Sequence, residues 1–120
     1  MALFKGKCTM ESSLLSLNEH SALQEIKHRV TLLFSVHEFI LFGSKARGSA
    51  QSDSDIDLLI VTERELDHKE RHSISSVITQ INLQYGTLFS FIVIGFERWN
   101  GDIYRLLPLH QNIEREGVLV

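Results

Sequence analysis

Two aspartates two residues apart, Asp55 and Asp57, have the residue type and spacing best suited to chemistry in this chain. They open an apolar run that is typical of a β-strand, and side chains two apart on a strand lie on the same face. Paired carboxylates suit Mg²⁺, which completes its octahedron with substrate phosphates and water. Two such ions about 3.5–4 Å apart can clamp a phosphoryl group during in-line attack. The spacing therefore suits Asp55 and Asp57 to a hard cation, and they are the candidate catalytic and metal-binding residues.

A glycine-serine turn at Gly43 and Ser44 supplies the other half of the predicted site. Glycine lets the backbone turn sharply after a strand and approach a ligand closely, and the N–H groups that open the next helical turn form an anion site. Ser44 adds a hydroxyl donor and Arg47 a permanently charged fork for phosphate oxygens. We predict that Gly43, Ser44 and Arg47 bind a nucleotide's triphosphate. The sequence contains neither the Walker pattern nor the dinucleotide glycine pattern.

The segment 43–61 closely resembles the signature of the minimal nucleotidyltransferases of the DNA polymerase β superfamily. That signature is a Gly-Ser turn, commonly continued as Ala-Arg-Gly, and then a Ser-Asp-x-Asp strand. The matching residues are Gly43, Ser44, Ala46, Arg47, Gly48, Ser54, Asp55, Asp57, Leu58 and Leu59. An acidic strand end that merely faces solvent is the simpler alternative, and the turn in register with the aspartates argues against it.

The resemblance implies an α/β fold with an α-β-α-β-α-β core, in which helices pack on a mixed sheet of three or slightly more strands. It also implies transfer of a nucleoside monophosphate, AMP from ATP, to a hydroxyl with the help of Mg²⁺, two ions in all. Gly43 and Ser44 would hold the triphosphate while Asp55 and Asp57 bind the metals. In bacteria the implied partner is a HEPN-domain ribonuclease toxin, which such an antitoxin neutralises by adenylylating a tyrosine.

One position departs from the family pattern. A third carboxylate normally stands on the following strand, where it activates the attacking hydroxyl, and here Ser90 takes its place. Serine is a poor Mg²⁺ ligand and no general base near neutral pH. Two functions stay open: a working transferase, or a protein of the same fold that has lost turnover and blocks its partner by contact. An antibiotic- or sugar-modifying transferase is more distant, because it usually needs an acceptor-binding domain.

Length, composition and charge limit the kinds of protein that this chain can be. The 120 residues and 43% hydrophobic content predict one domain, with residues 1–18 as a variable lead-in and 19–120 as the nucleotidyltransferase domain. A net charge of −3 argues against a broad nucleic-acid surface. No apolar run is long enough for a membrane span, and we expect a cytoplasmic protein. Cys8 is the sole cysteine, which excludes an internal disulfide, and a homo-oligomer is left open.

Hydrophobic periodicity predicts helices and strands in alternation. Helices are predicted at residues 19–34 and 66–85, and Gly86 ends the second. The short segment 45–48, Lys-Ala-Arg-Gly, predicts one helical turn. Three strands are predicted at residues 36–42, 55–61 and 87–94. A last helix is predicted to end at Gly117, before a short apolar tail.

Several residues allow two interpretations. His68 and His72 have the i, i+4 spacing of a metal pair, but their charged neighbours favour a solvated helix face. Trp99 and Tyr104 could stack on a base, although packing is the commoner role. Asp53 is either a supporting acid or an ordinary turn residue. Glu97 is the nearest acid after Ser90, and it would need a loop that folds back.

Overall fold

The computed structural model describes residues 14–48 and 55–120. In that part of the chain, helices and strands alternate and then give way to a helical C-terminal section. The helices are α1 (Leu17–Leu33), α2 (Ser44–Arg47), α3 (His68–Tyr85), α4 (Phe96–Trp99), α5 (Asp102–Arg105) and α6 (Pro108–Glu116). The strands are β1 (Val36–Phe42), β2 (Ile56–Thr62), β3 (Phe89–Gly95) and β4 (Val118–Leu119).

The four strands form one mixed sheet in the order β3-β2-β1-β4. Strands β1 and β2 are antiparallel, β2 and β3 are parallel, and β4 adds to the outer side of β1 in the antiparallel sense. The connection from β2 to β3 passes through α3, as a parallel pair requires. The fold is therefore α/β with a mixed sheet, as the sequence predicted.

Both faces of the sheet are covered, but by different helices. Leu41, Leu58 and Ile60 point to the face that packs against α1 and α3. The alternate residues of the same strands, among them Ile40 and Leu59, point to the other face, where side chains from α4 and α6 cover them. This alternation assigns Asp57 and Ser90 to the face shared with α4 and α6.

Capping explains where the two long helices begin. Ser16 accepts a hydrogen bond from the Glu19 N–H at 3.1 Å, and the Glu19 carboxylate accepts one from the Ser16 N–H at 2.9 Å. This capping box starts α1 two residues before the prediction. Asp67 and Glu70 form the same box at α3, which ends as predicted at Gly86 with φ +66°. Leu15, inside the predicted lead-in, is buried in the main core, which is the apolar cluster between the sheet and helices α1 and α3.

The C-terminal section holds more elements than predicted. The predicted last helix is present as α6 and ends at Gly117, whereas α4 and α5 were not predicted, and the apolar tail forms β4. Val118 pairs with Leu41 and Leu119 with Ile40. A two-residue strand carries too little periodicity to be recognised from sequence. Its pairing places the end of α6 beside the end of β1, where the Gly43 turn begins.

Glu38 of β1 provides a pH-dependent prediction. Burial raises the pKa of its carboxyl above the ordinary 4.5, the neighbouring His37 opposes the rise, and Glu114 of α6 adds to it. Because the pKa is higher in the folded protein, folding favours the protonated carboxyl. The contribution of Glu38 to the free energy of unfolding is therefore greatest below the ordinary pKa of 4.5 and is lost as pH rises through the folded pKa. We expect Glu38→Gln to stabilise the protein at pH 7 by up to about 1 kcal/mol, or a few degrees in Tm, since the group is half exposed.

Thermal unfolding at pH 4 and pH 7 measures this effect. The gain should shrink at pH 4, where Glu38 is largely protonated in both states, and exposed Glu97→Gln serves as the control. An equal gain at both pH values would contradict the assignment.

Candidate active site

The turn after β1 depends on a glycine. Gly43 has φ +78° and ψ −158°, a conformation that L-residues with a Cβ rarely adopt. It lies between the end of β1 and the start of α2 at Ser44. The Arg47 N–H donates to the Gly43 carbonyl at 3.2 Å, and Gly48 closes the turn with φ +73°. The first N–H groups of this turn have no partner within the helix, which is the usual condition for an anion site.

Strand register sets the turn directly against an aspartate. Phe42, the last residue of β1, pairs with Asp57 of β2, so Gly43 lies beside the Asp57 side chain. A Cβ on Gly43 would overlap Asp57 Oδ2 and lie 3.2 Å from Cγ. The missing Cβ therefore leaves the space that the Asp57 carboxylate occupies. Of the predicted site residues, Gly43 and Asp57 are thus brought into direct apposition.

Ser90 lies on the other side of Asp57. The parallel register pairs Asp57 with Ser90, and the Ser90 hydroxyl donates a hydrogen bond to Asp57 Oδ1 at 2.8 Å. Asp55 immediately precedes β2 rather than opening it, and it is exposed. The Asp57 carboxylate is consequently held between a glycine turn on Oδ2 and a hydroxyl donor on Oδ1.

Glu97 does not replace the missing third acid. It belongs to α4, which follows the far end of β3, whereas Ser90 is near the start of that strand. The five residue-to-residue steps from Ser90 to Gly95 span roughly 16 Å at about 3.3 Å per step. Glu97 instead lines a cavity of about 540 Å³ at that far end, together with Gly95 and Arg98.

Arg47 has a protein partner that sequence reasoning missed. Its guanidinium lies 3.3 Å from Glu116 Oε2 at the end of α6, and the two side chains are 47% and 30% exposed. An exposed pair of this kind is worth at most about 1 kcal/mol, so a phosphate can compete for the guanidinium. No local signal identifies Glu116, because the contact depends on β4 returning α6 to the sheet.

The donor set at Asp57 fits a hard divalent cation. Carboxylate oxygens from Asp55 and Asp57 are the ligands Mg²⁺ prefers, and Mg²⁺ needs only one or two of them when substrate phosphates supply the rest. Within 14–48 and 55–120, no group of three or more His, Cys, Asp or Glu residues could hold a metal by itself.

The other candidates of the sequence are not part of this arrangement. Trp99 is 3% exposed and its ring lies 4.2 Å from that of His110, so it packs in the core as expected. Tyr104 packs at the edge of the same cluster, with Arg98 5.2 Å from its ring centroid. His68 and His72 are exposed, consistent with a solvated helix face. Asp53 and the polar loop at 49–54 lie outside the described residues.

A glycine turn set against a strand aspartate in a mixed sheet is an arrangement that suits a phosphate and a cation. Residues 22–111 match the nucleotidyltransferase domain family, and the chain belongs to that family. It is therefore a nucleotidyltransferase.

Relatives agree with this assignment. The chain is 32% identical to "Putative protein adenylyltransferase MJ0604" of Methanocaldococcus jannaschii over 84% of its own length and 96% of the relative's. It is also 32% identical to "Putative protein adenylyltransferase MJ0141" of the same organism, over 59% of this chain and 74% of that one.

A solved structure supports the fold. It is a crystal structure described as that of a "putative nucleotidyltransferase" from Sulfolobus solfataricus, with a TM-score of 0.56 and 22% identity, over 92% of this chain and 87% of the other. Among the described residues, no helix is long and apolar enough to cross a membrane.

Proposed function

We propose that the protein transfers AMP from ATP to a hydroxyl group of another protein, with Mg²⁺ bound at Asp55 and Asp57. The observation that carries the proposal is the apposition of the Gly43 turn and the Asp57 carboxylate. It sets amide donors for phosphate oxygens next to a carboxylate that suits a cation. The relatives' description as protein adenylyltransferases supports ATP as donor and a protein as acceptor.

The chain's residues then have distinct roles. Gly43 and Ser44 bind the triphosphate through their turn, and Arg47 exchanges Glu116 for a phosphate oxygen. Bound Mg²⁺ would neutralise charge on the phosphate oxygens, the main requirement of phosphoryl transfer. Ser90 keeps the Asp57 carboxylate in one orientation through its hydrogen bond to Oδ1.

The reaction exchanges one bond for another at the α-phosphorus. The acceptor oxygen forms a bond to that phosphorus, the bond from phosphorus to the bridging oxygen breaks, and pyrophosphate leaves with the electron pair. The hydroxyl proton passes to water, because serine at position 90 does not take a proton near neutral pH. Turnover should therefore be slow. The acceptor we propose is a tyrosine hydroxyl of a HEPN-domain toxin.

The test uses ATP labelled at the α-phosphate, Mg²⁺ and a HEPN-domain partner. Label on a partner tyrosine supports the proposal, and label found only on released AMP contradicts it. The second candidate, a protein that acts by complex formation, is favoured by the serine at position 90. A tight complex that forms without any label would support that candidate instead.

Ser90→Asp is expected to raise kcat for transfer about tenfold. General-base catalysis contributes about 10²–10⁴-fold in enzymes, and part of that should return when a carboxylate stands beside Asp57. Steady-state transfer rates measure the gain, with Ser90→Asn as the uncharged control of similar size. A kcat that rises equally in both variants, or in neither while Mg-ATP still binds, would show that proton removal is not limiting.

A further inference from the structure

The lysine inside the phosphate-binding turn points away from solvent. Lys45, the second residue of α2, has a side chain only 9% exposed. Its Nζ lies 3.3 Å from Glu19 Oε2 and 3.4 Å from Oε1. A buried ammonium is costly unless it is paired, and the Glu19 carboxylate, 13% exposed, supplies the pair. The cation of the turn is therefore engaged with α1.

Its partner is already fixed by a second interaction. Glu19 is the third residue of α1 and closes the capping box with Ser16. One carboxylate thus accepts from the Ser16 N–H and from the Lys45 ammonium. The Glu19 carboxylate therefore fixes the position of Lys45 relative to the start of α1, a 17-residue helix that packs in the main core.

The turn needs such an anchor. A four-residue helix is not stable by itself, because helix nucleation is unfavourable. Ala46 is buried in the main core, and Arg47 reaches α6 only through its exposed pair with Glu116. Lys45 and Glu19 are far less exposed than that pair, so their contact resists exchange with solvent ions more strongly. It is the contact best placed to set where Gly43 and Ser44 stand.

We propose that Lys45 is a positioning residue that, through Glu19, holds the Gly43–Arg47 turn in its place beside Asp57 for binding of the triphosphate. The inference rests on the proposed function of that turn. It differs from the role of a phosphate ligand, in which the Lys45 ammonium would leave Glu19 to contact the nucleotide. The two roles predict opposite effects of changing Glu19.

The test compares Lys45→Met, Glu19→Gln and the double variant with the wild-type chain. In a positioning role, each single change raises KM for ATP about 5–20-fold while kcat changes less than about threefold, since a misplaced turn binds phosphate less well. The double variant should be no worse than the poorer single variant, because both changes break one interaction. Circular dichroism at the assay temperature verifies that each variant is folded.

Glu19→Gln separates the alternatives. A KM that is unchanged or lower in this variant but raised in Lys45→Met would mean that Lys45 contacts phosphate directly, and the inference would be overturned. Unchanged KM in all three folded variants would mean a purely structural pair and would overturn it as well.

The matched control is Glu70→Gln. Glu70 holds the same place in the α3 capping box, and hydrogen bonds from Arg64 and the Asp67 backbone lower its pKa to about 2. Loss of the Glu70 charge should weaken the capping of α3 without changing KM for ATP.

A second readout does not depend on activity. Amide hydrogen exchange of residues 44–48 in the ligand-free protein should be faster in Lys45→Met and Glu19→Gln, and unchanged in Glu70→Gln. If exchange stays at the wild-type rate, the pair does not hold the turn and the inference fails whatever the activity. If exchange accelerates but the wild-type chain neither binds nor uses Mg-ATP, the proposed function fails instead.

Discussion

Replacing Asp57 by Asn is expected to lower the rate of nucleotidyl transfer at least about 10³-fold. The substitution keeps the size of the side chain and an oxygen that accepts the Ser90 hydrogen bond, so the local structure should persist. What it removes is the negative charge that suits a divalent cation beside the phosphate turn. Charge stabilisation by a bound cation is worth several kcal/mol in the transition state, which corresponds to this loss.

Transfer of label from ATP to the acceptor measures the effect, with Asp67→Asn as the matched control. Asp67 caps α3, a role that Asn also performs well, so the same chemical change there should leave the rate unaltered. Retention of more than about a tenth of the wild-type rate in Asp57→Asn would remove Asp57 from the proposed catalytic site.

The segment from β1 to β2 could be predicted because its signals are local. An apolar run, a glycine after it and a second apolar run are each recognisable within a few residues, and the structure has β1 at the predicted bounds. The family pattern puts Ser90 where a third carboxylate normally stands on the following strand, and the strand register pairs Ser90 with Asp57. The boundaries of β2 and β3 moved by one or two residues, since strand ends depend on pairing rather than composition.

The contacts that hold the site could not be predicted. Lys45 and Glu19 are 26 residues apart in the chain, and Arg47 and Glu116 are 69 apart. Neither pair has a sequence signal, because charged residues are expected on the surface and their partners are fixed only when the sheet assembles. The turn's conformation follows from sequence, whereas its position relative to Asp57 follows from tertiary structure.

Gly43→Ala tests that position and is expected to lower kcat/KM at least about 100-fold. Alanine disfavours φ +78°, and its Cβ would overlap Asp57 Oδ2, so either the turn or the carboxylate must move. A displacement of about 1 Å in a positioned site can cost about 10²-fold in rate. The loss should appear in KM for ATP as well as in kcat, because the turn and Asp57 are both displaced.

Gly86→Ala separates backbone strain from the collision with Asp57. Gly86 has a similar positive φ of +66°, but a Cβ there would meet nothing within 4 Å. It should therefore lower stability by about 1 kcal/mol with little change in kcat/KM, because Gly86 ends α3 away from the turn. Comparable losses of activity in the two variants would mean that strain alone accounts for Gly43→Ala. Normal activity in Gly43→Ala would mean that activity does not require the close approach of the turn and the carboxylate. The apposition of Gly43 and Asp57 would then no longer support the proposed function.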